Sequence, residues 1–102
     1  MVRATLTMKV RAGSEAEFEA EWRTVAESTR RAPGNLRQAL LRSADDPSTF
    51  VITSDWVDRA AFGAFERSPE QDDLTAPLRA LRESASMQVH ELVVHVDADG
   101  AS

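Results

Sequence analysis

Hydrophobic and polar residues alternate strictly at the start of the chain. From Val2 to Arg11 every second residue is apolar, and the residues between them are arginine, threonine or lysine. A period of two is typical of a β-strand with one buried face, because successive side chains of a strand point to opposite sides. The pattern therefore predicts a first strand, and Gly13 breaks it.

The period then changes to that of a helix. Ser14, followed three residues later by Glu17, matches the capping box that opens many helices, and Pro33 with Gly34 provides a stop. Between these signals one face is apolar or small, which predicts a single amphipathic helix. Its inward positions are Phe18, Trp22, Val25, Ala26 and Thr29.

Two further strands are predicted from Leu36 to Ser43 and from Thr49 to Trp56, joined as an antiparallel hairpin by the Asp- and Pro-containing loop 44–48. Asp58 is an N-cap candidate for a short helix, and Ser68 with Pro69 opens another. The β-branched segment from Met87 to Asp97 predicts the last strand.

The order strand, helix, strand, strand, helix, strand predicts an α+β chain with the ferredoxin-like βαββαβ topology, in which helices cover one face of an antiparallel sheet. We expect a single domain over residues 1–98 and a flexible tail at 99–102. Apolar residues also occur at positions of the opposite parity, such as Leu41, Val51 and Val93. A bare apolar sheet face is unusual in a monomer, so this pattern predicts a homodimer.

Composition narrows the classes of function. With 12 basic and 17 acidic residues the net charge is −5, which argues against a nucleic-acid surface. The chain has no cysteine, which excludes disulfides and thiolate metal sites. The first residues lack the apolar run of a signal peptide or membrane span, so a cytoplasmic location is the expectation.

The topology, Pro33-Gly34 after the first helix, the segment FVITSDWVDRAAF at 50–62 and the valine-rich last strand resemble the antibiotic biosynthesis monooxygenase domain. The resemblance covers nearly the whole chain. It implies a dimeric α+β barrel with a pocket between the sheet and helices of each subunit. It also implies oxidation of an aromatic polyketide intermediate, such as an anthrone, by dioxygen without metal, flavin or another cofactor.

The sequence departs from the better-known members in two places. Anthrone-type enzymes carry an asparagine four residues before the strand-end tryptophan and a tyrosine six residues after it. Here Trp56 matches, while Ile52 and Phe62 stand at the other two positions. Haem-degrading relatives use a tryptophan and a histidine where Phe65 and Thr75 stand, which argues against haem degradation.

Aromatic residues are the candidates for binding a planar substrate. Trp56 is interpreted either as core or as a wall that stacks on the ligand, with core the commoner role of a large aromatic residue. The same alternative applies to Phe62, Phe65 and Trp22, of which Trp22 is expected to be mainly structural.

Polar residues are the candidates for chemistry. His90 is the expected acid or base if the face with Leu92, Val94 and Val96 is the core face, because histidine titrates near neutral pH. His95 lies five residues on and points the other way, so the pair does not suit one metal ion. Four further polar residues could meet an enolate or phenolate oxygen: Arg79, Arg82, Arg42 and Ser54. Of these, Arg79 or Ser54 is the expected contact of the substrate oxyanion.

Three functions stay open from the sequence. The first is a cofactor-independent monooxygenase that acts on an anthrone-like substrate. The second is a non-oxidising subunit that binds a polyketide for a cyclase or another enzyme. The third is a polyketide cyclase on the same scaffold.

Overall fold

A computed structural model describes residues 1–98 of the 102-residue chain, and the predicted tail at 99–102 lies outside the described residues. The predicted order of elements is confirmed, with the second helical region divided into two helices. The elements are β1 Val2–Val10, α1 Glu15–Thr29, β2 Asn35–Arg42, β3 Thr49–Trp56, α2 Arg59–Glu66, α3 Pro69–Leu81 and β4 Arg82–Glu91.

The four strands form one antiparallel sheet in the order β2-β3-β1-β4, which is the predicted ferredoxin-like topology. Leu6 of β1 lies between Ile52 of β3 and Met87 of β4. These three side chains point toward the helices, because residues in register across antiparallel strands share a face. The even positions of β1 and β3 and the odd positions of β4 therefore form the helix-facing side.

The last strand was predicted wrongly at both ends. It begins five residues earlier than Met87 and ends at Glu91 rather than Asp97. The reason is the length of its neighbour: Glu91 pairs with Val2, and the amide of Leu92 bonds to the carbonyl of Met1, so β1 offers nothing further to pair with. Residues 92–97 continue without sheet pairing, and Val93, Val94 and Val96 are 92%, 72% and 83% exposed.

Two of the three predicted helix starts have their caps. Asp58 accepts a hydrogen bond from the amide of Ala61 at 2.8 Å, and Ser68 accepts one from Gln71 at 3.3 Å. The predicted capping box at Ser14 does not form, since its side chain makes no cap hydrogen bond. Glu15 instead accepts a bond from the amide of Gly13 at 2.8 Å. Within residues 1–98, every helix is too short or too polar to cross a bilayer.

The helix-free face of the sheet is more polar than the sequence pattern indicated. Leu41 and Val51 do lie on it, cross-strand from one another, but Val93 lies beyond the sheet. The dominant feature is Asp55, which is 1% exposed and accepts hydrogen bonds from Arg3 at 2.7 and 2.9 Å and from Arg37 at 3.0 Å. This ion-pair cluster joins β1, β2 and β3.

Asp55 makes the stability of the fold sensitive to acid. Its hydrogen bond from Arg3 is the main cause that lowers the pKa of Asp55 below its ordinary 3.8, against an opposing effect of burial. A carboxylate with a lowered folded-state pKa contributes stability above its unfolded pKa and loses that contribution as pH falls through the folded value. We expect Asp55→Asn to lower the free energy of unfolding at about pH 6 and to flatten its decline below about pH 4, measured by urea unfolding. Parallel pH curves for the two proteins would contradict this role.

Gly34 fixes the turn between α1 and β2. Its φ is +86°, and a Cβ there would lie 2.6 Å from the Cβ of Ala61 and 3.0 Å from Val57 Cγ2. We expect Gly34→Ala to cost about 2–3 kcal/mol, because strain at positive φ adds to overpacking. Gly13→Ala is the matched control, with φ +93° and no atom within 4 Å, and should cost only about 1 kcal/mol in the same urea titration. Equal losses of unfolding free energy in the two variants would show that the contact with Ala61 does not add to the cost at Gly34.

Candidate active site

The core is divided into two clusters, and a cavity lies between them. One cluster is centred on Phe18 and Phe50, the other on Trp56 and Phe62. The cavity has a volume of about 390 Å³ and is lined by the helix-facing side of all four strands and by all three helices. It is the pocket between sheet and helices that the resemblance implies.

Most of the cavity wall is apolar and partly aromatic. Trp22 of α1 and Phe62 and Phe65 of α2 all line it, as predicted, together with Ile52 of β3. Trp22 is half-buried, so the helix position expected to be mainly structural also presents its ring to the cavity. A mostly apolar cavity of this volume is typical of small-molecule binding sites.

Trp56 does not line the cavity, so the interpretation of it as a ligand-stacking wall is wrong. The residue is 0% exposed and lies behind the wall. Its ring centroid is 4.8 Å from that of Phe65 and 5.8 Å from that of Phe62, both in tilted arrangements. Trp56 therefore supports the two phenylalanines that face the cavity.

Trp56 also reaches the cavity through one hydrogen bond. Its indole Nε1–H donates to Ser54 Oγ at 3.0 Å, and Ser54 lines the cavity. A hydroxyl has one proton to donate and two lone pairs, so a lone pair of Ser54 is occupied while its own proton is left for a ligand. The indole thus holds Ser54 as a hydrogen-bond donor toward the cavity.

The structure places both histidines outside the cavity. His90 is exposed and pairs across the strands with Arg3 on the helix-free face, because the helix-facing positions of β4 are odd-numbered. The assumption that Leu92, Val94 and Val96 continue the core face is wrong, since these residues follow the end of β4. His95 is also exposed, and its Nε2 lies 2.7 Å from Oδ1 of Asp97.

Arg79 lines the cavity, as predicted, but its guanidinium is drawn back along α3. It donates to Thr75 Oγ1 at 2.6 Å and to the carbonyl oxygen of Asp72 at 3.0 Å. Arg82, a second arginine among the sequence candidates for contact with the substrate oxygen, lines the same cavity. Burial and then the neighbouring charge of Arg79 lower the pKa of Arg82.

Three polar residues at the cavity were not among the sequence candidates. Glu66 is the one carboxylate among its described lining residues, and Gln38 and Gln71 supply amides. Glu66 could have been found from its position four residues after Phe62, which puts both on one side of α2. Gln38 is held by a 2.7 Å hydrogen bond from its amide to the carbonyl oxygen of Ala26, so it braces β2 against α1.

Comparison with known proteins gives a consistent picture. The family model described as antibiotic biosynthesis monooxygenase matches residues 1–76. Protein SchA of Streptomyces halstedii and a 42.8 kDa protein in the whiE locus of Streptomyces coelicolor are 29% and 30% identical over 77 residues, 76% of this chain. The chain spans only about a fifth of the length of these curated relatives, at 20% and 19%.

A crystal structure supports the same grouping. SnoaB, a cofactor-independent oxygenase from Streptomyces nogalater, superposes with a TM-score of 0.84 at 27% identity. The match covers 93% of this chain and 95% of SnoaB. The sheet and the helices of this chain therefore have the same fold as SnoaB.

Proposed function

Because the chain belongs to the antibiotic biosynthesis monooxygenase family, we propose that it is a cofactor-independent monooxygenase that oxidises an aromatic, anthrone-like polyketide with dioxygen. The observation that carries the proposal is the aromatic cavity with the Ser54 hydroxyl held as a donor by Trp56. The similarity to a cofactor-independent oxygenase over almost the entire chain supports the same reaction class.

The cavity suits the ground state and the anion of such a substrate. Phe62, Phe65 and Trp22 offer aromatic surfaces to a fused ring system, and tilted or offset contacts between rings are favourable. Ser54 can donate to the substrate oxygen, on which negative charge accumulates when the ring carbon loses a proton. An apolar surrounding strengthens this bond, because electrostatic interactions are less screened there.

In the proposed reaction, Glu66 replaces His90 as the base. Its carboxylate accepts a proton from the reactive ring carbon, and the electron pair left behind delocalises onto the oxygen that Ser54 contacts. The resulting carbanion reduces dioxygen and forms a carbon-bound peroxide anion, which takes back the proton from Glu66 and becomes a hydroperoxide. Loss of water from this hydroperoxide leaves a new carbonyl, so one oxygen atom of dioxygen enters the quinone and the other leaves as water.

A second candidate function is a non-oxidising subunit that binds a reactive polyketide. It is favoured by Ile52 and Phe62, which line the cavity with apolar groups where anthrone-type enzymes have asparagine and tyrosine. Such a subunit would bind the aromatic ligand without converting it and without consuming oxygen. A polyketide cyclase would convert the ligand, also without consuming oxygen.

Oxygen uptake with anthrone separates these functions. Purified protein treated with a metal chelator is mixed with anthrone in an oxygen electrode, and anthraquinone is quantified at the end. We expect uptake above the protein-free rate and one quinone per dioxygen consumed. Anthrone binding without added uptake would contradict the oxygenase and favour the binding subunit.

We also propose that the chain forms a homodimer through the helix-free face and residues 92–97. The described residues place no helix over this face, and three valines of the unpaired segment are exposed. Light scattering should give twice the 11.2 kDa chain mass. Replacing Val94, which is 72% exposed, with glutamate should shift the mass toward the monomer, whereas a monomeric parent protein would contradict the proposal.

A further inference from the structure

The polar groups of the cavity are separated along the strands. Ser54 is in register with Ala4 near the start of β1, whereas Arg82 is in register with Val10 at its end. From Ala4 to Val10, β1 rises about 20 Å at about 3.3 Å per residue, and Ala4, Leu6 and Met8 line the cavity along this stretch. The cavity is therefore elongated, with a hydroxyl toward one end and a cation toward the other.

A backbone irregularity brings that cation to the cavity. The pairing of β1 with β4 shifts between Lys9, opposite Ser84, and Val10, opposite Arg82. In unbroken register, Glu83 would lie opposite Val10 on the helix-facing side. The bulge puts Arg82 there instead, and Glu83 is exposed. Bulges re-aim side chains in this way and are frequent beside functional sites.

In the part of the chain that the structure describes, no carboxylate forms an ion pair with the guanidinium of Arg82. Among residues 1–98 it forms no side-chain hydrogen bond or ion pair, and Glu66 pairs with neither arginine. Arg79, by contrast, is held by Thr75 and by Asp72, whose carboxylate is 3.5 Å away. The half-buried Arg82 thus presents several unused donors to the cavity, and burial together with the Arg79 charge lowers its pKa.

From this arrangement we infer that the ligand of the cavity is an aromatic polycycle bearing a carboxylate, which pairs with Arg82 while the reacting oxygen lies at Ser54. The inference rests on the proposed function for the aromatic part of the ligand and adds the acidic group. The two oxygens of a carboxylate match the planar guanidinium group of arginine in geometry. Its negative charge would neutralise Arg82, for which the described residues supply no ion-pair partner. It would also set the orientation of the ring system, since the two ends of the cavity differ.

A pair of non-reacting probes tests this inference by isothermal titration calorimetry. Anthraquinone-2-carboxylate and anthraquinone-2-carboxamide have the same rings and differ in charge. We expect the wild-type protein to bind the carboxylate at least about tenfold more tightly than the carboxamide, because a hydrogen-bonded charge pair contributes that much binding free energy. Arg82→Gln should remove this preference with little effect on the amide, and Arg82→Lys should restore part of it.

Arg59→Gln is the control variant, because Arg59 is exposed on α2 and does not line the cavity. It removes the same charge and should leave the preference for the carboxylate unchanged. Equal affinities of the wild-type protein for the two probes would overturn the inference and leave the proposed function standing. A preference that survives in Arg82→Gln would also overturn it. If neither probe binds, both the inference and the aromatic cavity of the proposed function fail.

Discussion

Replacing Trp56 with alanine is expected to lower the free energy of unfolding by about 3–5 kcal/mol, the range for emptying a fully buried aromatic site. Trp56 is completely buried and contacts the rings of Phe62 and Phe65. Small domains are stable by only about 5–15 kcal/mol, so the variant should unfold at a much lower urea concentration. The two phenylalanines should also lose their fixed positions, which would weaken aromatic ligand binding indirectly.

Trp56→Phe separates packing from the hydrogen bond to Ser54. It keeps most of the buried apolar volume and removes the indole N–H, so it should lose much less stability than Trp56→Ala. Because Ser54 is then free to rotate, turnover should fall while the affinity for anthraquinone changes little. The assignment of Trp56 to the core would be wrong if Trp56→Ala lost less than about 1 kcal/mol, as surface positions do.

Replacing Ser54 with alanine is expected to reduce kcat for anthrone oxidation about 100-fold, the usual cost of removing one donor to a developing oxyanion. Ser54 lines the cavity and its acceptor side is occupied by Trp56 Nε1–H at 3.0 Å. The variant also leaves that buried N–H without its partner, which should cost about 1–3 kcal/mol of stability. Turnover is therefore measured by oxygen uptake well below the unfolding transition of each variant.

Two companion variants make the Ser54 result specific. Ser54→Thr retains the hydroxyl and should retain most of the activity, since a cavity of about 390 Å³ has room for a methyl group. Thr53→Ala removes a hydroxyl from the next residue, which points to the helix-free face, and should leave kcat unchanged. Wild-type turnover by Ser54→Ala would exclude Ser54 from the reaction.

The fold was largely predictable because each element carries its own local signal. β1 alternates with period two, β2 and β3 flank an evident turn, and Asp58 and Ser68 cap their helices as expected. The last strand was not predictable from residue type. Residues 92–97 are rich in valine, but strand formation needs a paired neighbour. Because β1 begins at Val2, which pairs with Glu91, it has no residue left to pair with 92–97.

The site was predictable in its aromatic part and only partly in its polar part, where Ser54 and Arg79 line the cavity but His90 does not. Phe62 and Phe65 lie at helical spacing in α2, and Trp22 lies on the apolar face of α1, so the inward orientation of all three follows from periodicity. The face on which His90 lies depends on the register of β4, and the arrival of Arg82 at the cavity depends on a single bulge. A one-residue change of register reverses every side chain of a strand, so sequence alone could not decide either.

The most direct test of the central claim is a crystal structure of the protein with anthraquinone bound. We expect the ring system to lie between Phe65 and the sheet, inside the cavity, with one quinone oxygen about 2.7–3.0 Å from Ser54 Oγ. A quinone bound on the helix-free face beside His90, or one held in the cavity with no oxygen near Ser54, would contradict it.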